Sequence, residues 1–200
     1  MPDAERGLQR RRFVCCARPS LDPTARLFFA LWPDAAGRGA LDQAGSALLK
    51  DCGGKQMRAD NIHLTLVFLG HVAVARIGAL RAIADGIEGT SFSVTLNQLG
   101  WWRHNRVAWA APDIAPDPLL ALVNQLQDGL RSGGFDFDER PVYVPHVTLL
   151  RKARCEGIEL PPLAPVEWKA EAFVLVRSVA REAAYEIIGR WGLSQENNVL

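Results

Sequence analysis

Two histidines in this chain are followed by the same pattern: His63-Leu64-Thr65-Leu66 and, 83 positions later, His146-Val147-Thr148-Leu149. The chain has four histidines, and average residue usage places an aliphatic, a Thr and a Leu after a given His about once in a thousand. Two copies therefore point to a common purpose. A single His near Thr on a strand is ordinarily a satisfied polar residue on a half-exposed face, so the repetition is what argues for chemistry. Imidazoles near their unperturbed pKa of about 6.5 can hold opposite protonation states at neutral pH, one taking a proton from water and the other giving one to a departing oxygen. Threonine hydroxyls beside them can donate to the non-bridging oxygens of a phosphodiester and hold the charge that builds there. These four groups suit phosphodiester hydrolysis without a metal, and the residues themselves do not say which imidazole is the acid.

Both motifs read as strands, in which alternation puts His and Thr on one face and the two aliphatics on the other. Each is preceded by the same succession. Ala30-Leu31-Trp32, a helix and the first motif are echoed by Ala108-Trp109-Ala110, a helix and the second motif. A duplicated unit pairing its equivalent strands across a cleft would turn both His-Thr pairs into one pocket about a pseudo-two-fold axis.

The rest of the chain supplies the frame. The first helix runs from an Asp34 cap through Leu41, Ala44 and Leu48 to Gly53-Gly54. A second carries Ile77, Leu80, Ala84 and Ile87 on one face after Gly70, with His71 at its start. Ser91 to Asn97 alternates like a half-buried strand, Gly100 to Asn105 reads as a loop holding His104, and Arg106 to Ala110 reads as a strand. A third amphipathic helix presents Leu119, Leu122 or Val123, Leu126 and Leu130 before Gly133-Gly134. After the second motif come a Pro-rich loop (Pro161, Pro162, Pro165) and strands at Ala172 to Val176 and Tyr185 to Ile188.

Two hundred residues, 48% hydrophobic and 22% charged, make one core or two small fused lobes and exclude a disordered or fibrous chain. A net charge of +1 argues against a nucleic-acid coat protein and leaves local basic clusters to meet a small phosphate target. Cys15, Cys16, Cys52 and Cys155 fit neither a zinc ribbon nor a disulfide framework, which reads as a reducing cytoplasm. No apolar run approaches the roughly 20 residues of a membrane span. Arg10-Arg11-Arg12 is followed by too short an apolar run for a signal peptide, so residues 1–25 are expected to be a loose tail and 26–200 the folded domain.

The two motifs, with Arg26-Leu27-Phe28-Phe29-Ala30, Asn61-Ile62 before the first motif, Val67-Phe68-Leu69-Gly70 after it, and Pro145 and Leu150-Arg151-Lys152 around the second, resemble the 2H phosphoesterase superfamily. Within it, the chain is most similar to the bacterial and archaeal RNA 2',3'-cyclic phosphodiesterases, from about Arg26 to the C-terminus. The resemblance implies an α+β, bilobal, duplicated fold with two antiparallel sheets flanking a central cleft and helices outside. It implies that a terminal 2',3'-cyclic phosphate is opened to a 2'-phosphate, with His63 as proton donor, His146 as proton acceptor and 2'-5' RNA ligation as the reverse reaction. The expected partner is RNA ending in a cyclic phosphate, tRNA fragments included, bound by a monomer that uses no cofactor, no metal and no membrane. Gln56 stands where many relatives have a Trp, and Leu150 where a small residue is common, which leaves base and ribose preference open.

Further substrate contacts are expected around the four central residues. Arg151 either decorates a strand end or meets phosphate. Trp101 and Trp102, near Arg103 and Arg106, either stack an exposed base or pack into the core; Trp101 and Arg103 are the candidates for substrate contact. Rival readings are a phosphodiesterase for small cyclic nucleotides or 2',5'-oligoadenylate, separated by pocket width, and an idle RNA-end-binding module, separated by turnover in EDTA.

Overall fold

The computed structural model describes residues 23–179 and 184–195. The expected tail, apart from its last residues, lies outside the described residues, as do Arg10 to Arg12, Cys15 and Cys16. In chain order the elements are β1 (Thr24–Leu31), α1 (Ala35–Cys52), β2 (Lys55–Gln56), β3 (Leu64–Ala73), α2 (Ile77–Asp85), β4 (Phe92–Leu96), β5 (Gln98–Trp102), β6 (Val107–Ala111), α3 (Asp117–Ser132), β7 (Val147–Arg151), β8 (Val166–Ala170), β9 (Ala172–Val179) and β10 (Ala184–Gly192).

The larger sheet has the order β10-β9-β1-β3-β7-β6-β5, with β2 also on β7, and every pair in it is antiparallel. It is two lobes joined at a point. β3 and β7 pair only through Leu64 and Val147, so β10-β9-β1-β3 and β2-β7-β6-β5 splay apart on either side of that contact. β4 and β8 form a separate two-stranded sheet.

Helices close one face of each lobe. Asp34 caps α1 by accepting from the Gly37 N–H at 2.7 Å, and the helix buries Leu41, Leu48 and Cys52. Its main strand neighbours in space are β7 and β8, with β2, rather than β1, while α3 lies against β3 and α2. The helix of each half thus backs the histidine strand of the other half. α3 buries Leu119, Leu122, Val123, Leu126 and Leu130. Truncating one such leucine to Ala ordinarily costs about 2–5 kcal/mol.

Several expectations change. β5 is a strand where a loop is expected: Gln98 to Trp102 pair with Ala111 to Val107, because Gly100 lets the Trp109 ring lie over it from the facing strand. β3 continues through Gly70, whose φ of 66° accommodates a bulge. His71 is therefore a strand residue opposite Arg26, not a helix start. β8 was hidden behind the Pro-rich loop, although Val166, Trp168 and Ala170 alternate with exposed Glu167 and Lys169.

Cys52 and Cys155 are disulfide-linked, with Cα atoms 4.6 Å apart across 103 residues of sequence, so the cysteines do include a structural pair. Backbone contacts hold the same junction: Arg154 N donates to Cys52 O at 2.8 Å, and a Cβ on Gly54 would lie 2.6 Å from Arg151 O. Closing a loop of this length stabilises by up to about 5 kcal/mol. Reduction should lower the unfolding free energy from urea titration by a large part of that amount while leaving phosphodiester turnover below the transition unchanged, measured with and without dithiothreitol.

Candidate active site

The point contact between the lobes sets the site. With Leu64 opposite Val147, the antiparallel register places His63 across from Thr148 and Thr65 across from His146, all four on the face away from Leu64 and Val147. His63, Thr65, His146 and Thr148 line one cleft of about 350 Å³ with Arg151, Trp102 and Tyr143. The Tyr143 hydroxyl donates to Thr65 O at 2.8 Å, a bond that crosses from one half to the other beside the motif.

Both strands bulge one residue after their Thr. Opposite β1, Val67 faces Phe29 and Thr65 faces Ala30, so Leu66 is extra. Opposite β6, Leu150 faces Ala108 and Thr148 faces Trp109, so Leu149 is extra. The bulge inverts the alternation beyond it. It buries two consecutive aliphatics in each strand and returns Arg151 to the face of Thr148, where a regular strand would turn it away. The adjacent pairs Leu66-Val67 and Leu149-Leu150 are the sequence signal that alternation breaks at these places.

Each imidazole is oriented by a carbonyl two residues upstream. His63 Nδ1 lies 2.6 Å from Asn61 O, and His146 Nδ1 lies 2.9 Å from Val144 O. In both rings Nδ1–H donates, which leaves Nε2 as the nitrogen for the cleft. No carboxylate backs either ring in these bonds. The surroundings differ, however. His63 is 9% exposed, boxed by Phe28 at 4.8 Å, Trp32 stacked at 5.3 Å and 14°, and Tyr185 edge-on at 5.1 Å. His146 is half-buried and meets Trp102 edge-on at 4.5 Å.

Burial therefore dominates the acid strength of His63, pushing its pKa down to about 4, with the charges of Arg151 and His146 adding to the fall against the Asn61 carbonyl. His146 is pushed down chiefly by burial as well, with Arg140 and Arg151 acting in the same sense against the Val144 carbonyl. The protein groups by themselves favour two neutral imidazoles. An anionic phosphate between them would supply a counter-charge and raise both.

The remaining candidates separate. Arg151 is in the cleft. Trp101 and Arg103 are not among its lining residues: Trp101 packs against the core with Nε1 donating to Ala153 O at 3.3 Å, and exposed Arg103 pairs with Glu156 at 2.9 Å. Because β5 is a strand, adjacent tryptophans point to opposite faces, and Trp102 is the one that reaches the site. Leu150 is fully buried. Gln56 Nε2 is bound to Asp42 O, Asp42 Oδ1 and Ser46 Oγ on α1 at 2.8, 2.9 and 3.0 Å. Trp32 and Tyr185, unassigned from sequence, form the box around His63. Among the described residues, no three His, Cys, Asp or Glu side chains cluster as a metal site.

The depressed His63 value makes a stability prediction. The unfolded imidazole binds its proton near its ordinary value and the folded one only near 4, so stability is full above about 6.5 and declines as pH falls from there to about 4. His63 alone contributes roughly 3 kcal/mol to that decline. Urea unfolding of wild type and His63→Asn across this window should show a shallower loss in the variant; parallel curves would refute it.

The chain and its architecture match known proteins. The "LigT like Phosphoesterase" family model matches residues 31–109. The chain is 35% identical over 175 residues to the RNA 2',3'-cyclic phosphodiesterase of Escherichia coli K12, covering 85% of this chain and 97% of that protein. It is 27% identical over 187 residues to the protein of the same name from Thermus thermophilus, covering 86% and 92%. The crystal structure of E. coli LigT complexed with 3'-AMP superposes with a TM-score of 0.80 at 32% identity, covering 86% of this chain and all of that one. The chain belongs to the LigT-like phosphoesterase family.

Proposed function

We propose that this protein hydrolyses the terminal 2',3'-cyclic phosphate of RNA to a 2'-phosphate. The observation that carries the reading is the opposition of two His-Thr pairs about the Leu64–Val147 contact, with Arg151 on the same face. The names of the E. coli and T. thermophilus relatives support the substrate class. Thr65, Thr148 and Arg151 bind the non-bridging oxygens. His146 takes a proton from water as its oxygen attacks phosphorus; the bond from phosphorus to the ribose 3' oxygen breaks; His63 protonates that oxygen. The proton entering at His146 and the one leaving His63 balance. A 5'-hydroxyl in place of water gives a 2'-5' linkage, the ligation direction.

The unequal settings of the imidazoles support this division of roles. A deeply desolvated imidazolium is a strong acid, suited to the donor at His63. Once the phosphate anion is bound, the stacked Trp32 face is placed to stabilise that cation. Half-buried His146 keeps more of its basicity and more access to water. We place the protein in the cytoplasm as a monomer acting on RNA ends, tRNA fragments among them.

Replacing Thr65 or Thr148 with Val keeps the β-branched shape and removes the hydroxyl. Folding should hold while kcat/KM falls about a hundredfold, the worth of a transition-state hydrogen bond; unchanged turnover in both would refute the clamp. The pH profiles carry a second expectation. Because kcat/KM reports the free enzyme and kcat the complex, the alkaline limb of kcat/KM should lie below that of kcat, reflecting the rise in the pKa values of the histidine pair when phosphate binds. Coincident limbs would remove the substrate's role as counter-charge. An activated aryl phosphodiester should rescue His63→Ala and not His146→Ala; rescue of the other variant would reverse acid and base.

A further inference from the structure

The cleft opens at one end into a second, larger groove of about 910 Å³. Arg26 and Arg151 line both spaces, and a small neck of about 90 Å³ joining them is lined by His63, Thr65 and Tyr185. The groove collects cations from both lobes. Lys55 stands directly opposite Arg151 across the β2–β7 pair, Arg26 stands opposite His71 across β1–β3, and Arg58 joins them on the wall. Lys55, Arg58, Arg26, Arg151 and His71 are all exposed. Among the described residues, no Asp or Glu lines the groove.

Facing cations across a strand pair, as at Lys55 and Arg151, repel and cost stability, in a chain whose 22 carboxylates nearly match its 23 Lys and Arg side chains. Arg103, Arg131 and Arg140 away from the groove, and Arg177 on its wall, are each ion-paired. Among the described residues, Arg26, Lys55, Arg58 and Arg151 have no such partner. Another part of the cleft wall, not shared with the groove, is different. There Asp138 lines the wall and holds Arg140 at 2.8 Å, and Glu139 beside it holds Arg131. A polyanion leaving the active site is attracted toward the groove and finds the cations already neutralised along the Asp138 wall.

We infer that the Lys55–Arg58 groove is the binding track for the RNA chain upstream of its cyclic-phosphate end, with Lys55 and Arg58 as backbone-phosphate contacts and Arg26 and Arg151 marking the passage into the active site. The inference rests on the cyclic phosphodiesterase reading and goes beyond it by making the preferred substrate an oligonucleotide entering from a stated side. Phosphate contacts of this kind hold a strand without reading its sequence, so the track favours chain length and not a particular base.

The test uses the full chain and two substrates, a 2',3'-cyclic mononucleotide and a hexanucleotide ending in the same cyclic nucleotide, across a series of salt concentrations. Wild type should open both, with the lower and more salt-sensitive KM on the hexanucleotide. In Lys55→Ala/Arg58→Ala, the hexanucleotide KM should rise about tenfold and its salt slope flatten by roughly 1.4, about 0.7 for each lost phosphate contact. Lys55→Glu/Arg58→Glu should exceed that effect, and Lys55→Arg/Arg58→Lys should restore wild-type values. The mononucleotide, which does not reach the track, should show the same kcat/KM throughout. An unchanged hexanucleotide KM and slope in the charge-reversed variant would overturn the track while leaving the activity standing, as would equal losses on both substrates. Wild type opening neither substrate would overturn the activity itself, and the track with it.

Discussion

One residue pair governs this molecule. Leu64 and Val147 are where the histidine strands touch, and beyond that contact each strand bulges and takes a different neighbour. Met57 N donates to Leu149 O at 2.8 Å in one half, and Asp138 N donates to Phe68 O at 2.8 Å in the other. A longer β3–β7 ladder would flatten the junction into an ordinary continuous sheet and leave no cleft. No ladder at all would let the His-Thr pairs drift, when a displacement of about 1 Å can cost a hundredfold in rate. The single pair, braced by Tyr143 on the Thr65 carbonyl, lies between these extremes.

The electrostatics follow from what stands behind the imidazoles. Each Nδ1 is held by a peptide carbonyl, a neutral acceptor that fixes the ring without supplying negative charge. Arg151, Arg140 and burial all press the rings toward neutrality. The protein alone is poorly matched to a charged donor, and well matched to one once the substrate's own phosphate completes the charge balance. In the proposed mechanism the acid would be made by binding, and unproductive protonation suppressed until the anion is in place.

The motifs were legible because they carry rare residues at a repeated spacing, and the helices because Leu41 and Leu48, or Leu119, Leu126 and Leu130, recur at helical period in well-delimited segments. What escaped was governed by contacts distant in sequence. Trp101 and Trp102 look equivalent in a presumed loop; only pairing of β5 with β6, which requires Gly100 beneath Trp109, sends one to the core and the other to the cleft. Arg151 is placed by a bulge whose trace is a doubled aliphatic. The Cys52–Cys155 pair spans 103 residues, and no local spacing announces it. Trp32 and Tyr185 lie at opposite ends of the chain and become neighbours of His63 through β1, β9 and β10.

The helices bear on how such a molecule can be divided. Since α1 backs β7 and α3 backs β3, cutting the chain between α2 and β4 would not release two miniature proteins. Each fragment would hold a histidine strand stripped of its cover, and a helix much of whose apolar stripe fits the missing piece. The geometry is that of a swapped dimer written into one polypeptide. Its halves exchange arms, so the smallest unit able to bury its own core is also the smallest unit able to bring two histidines to one phosphate.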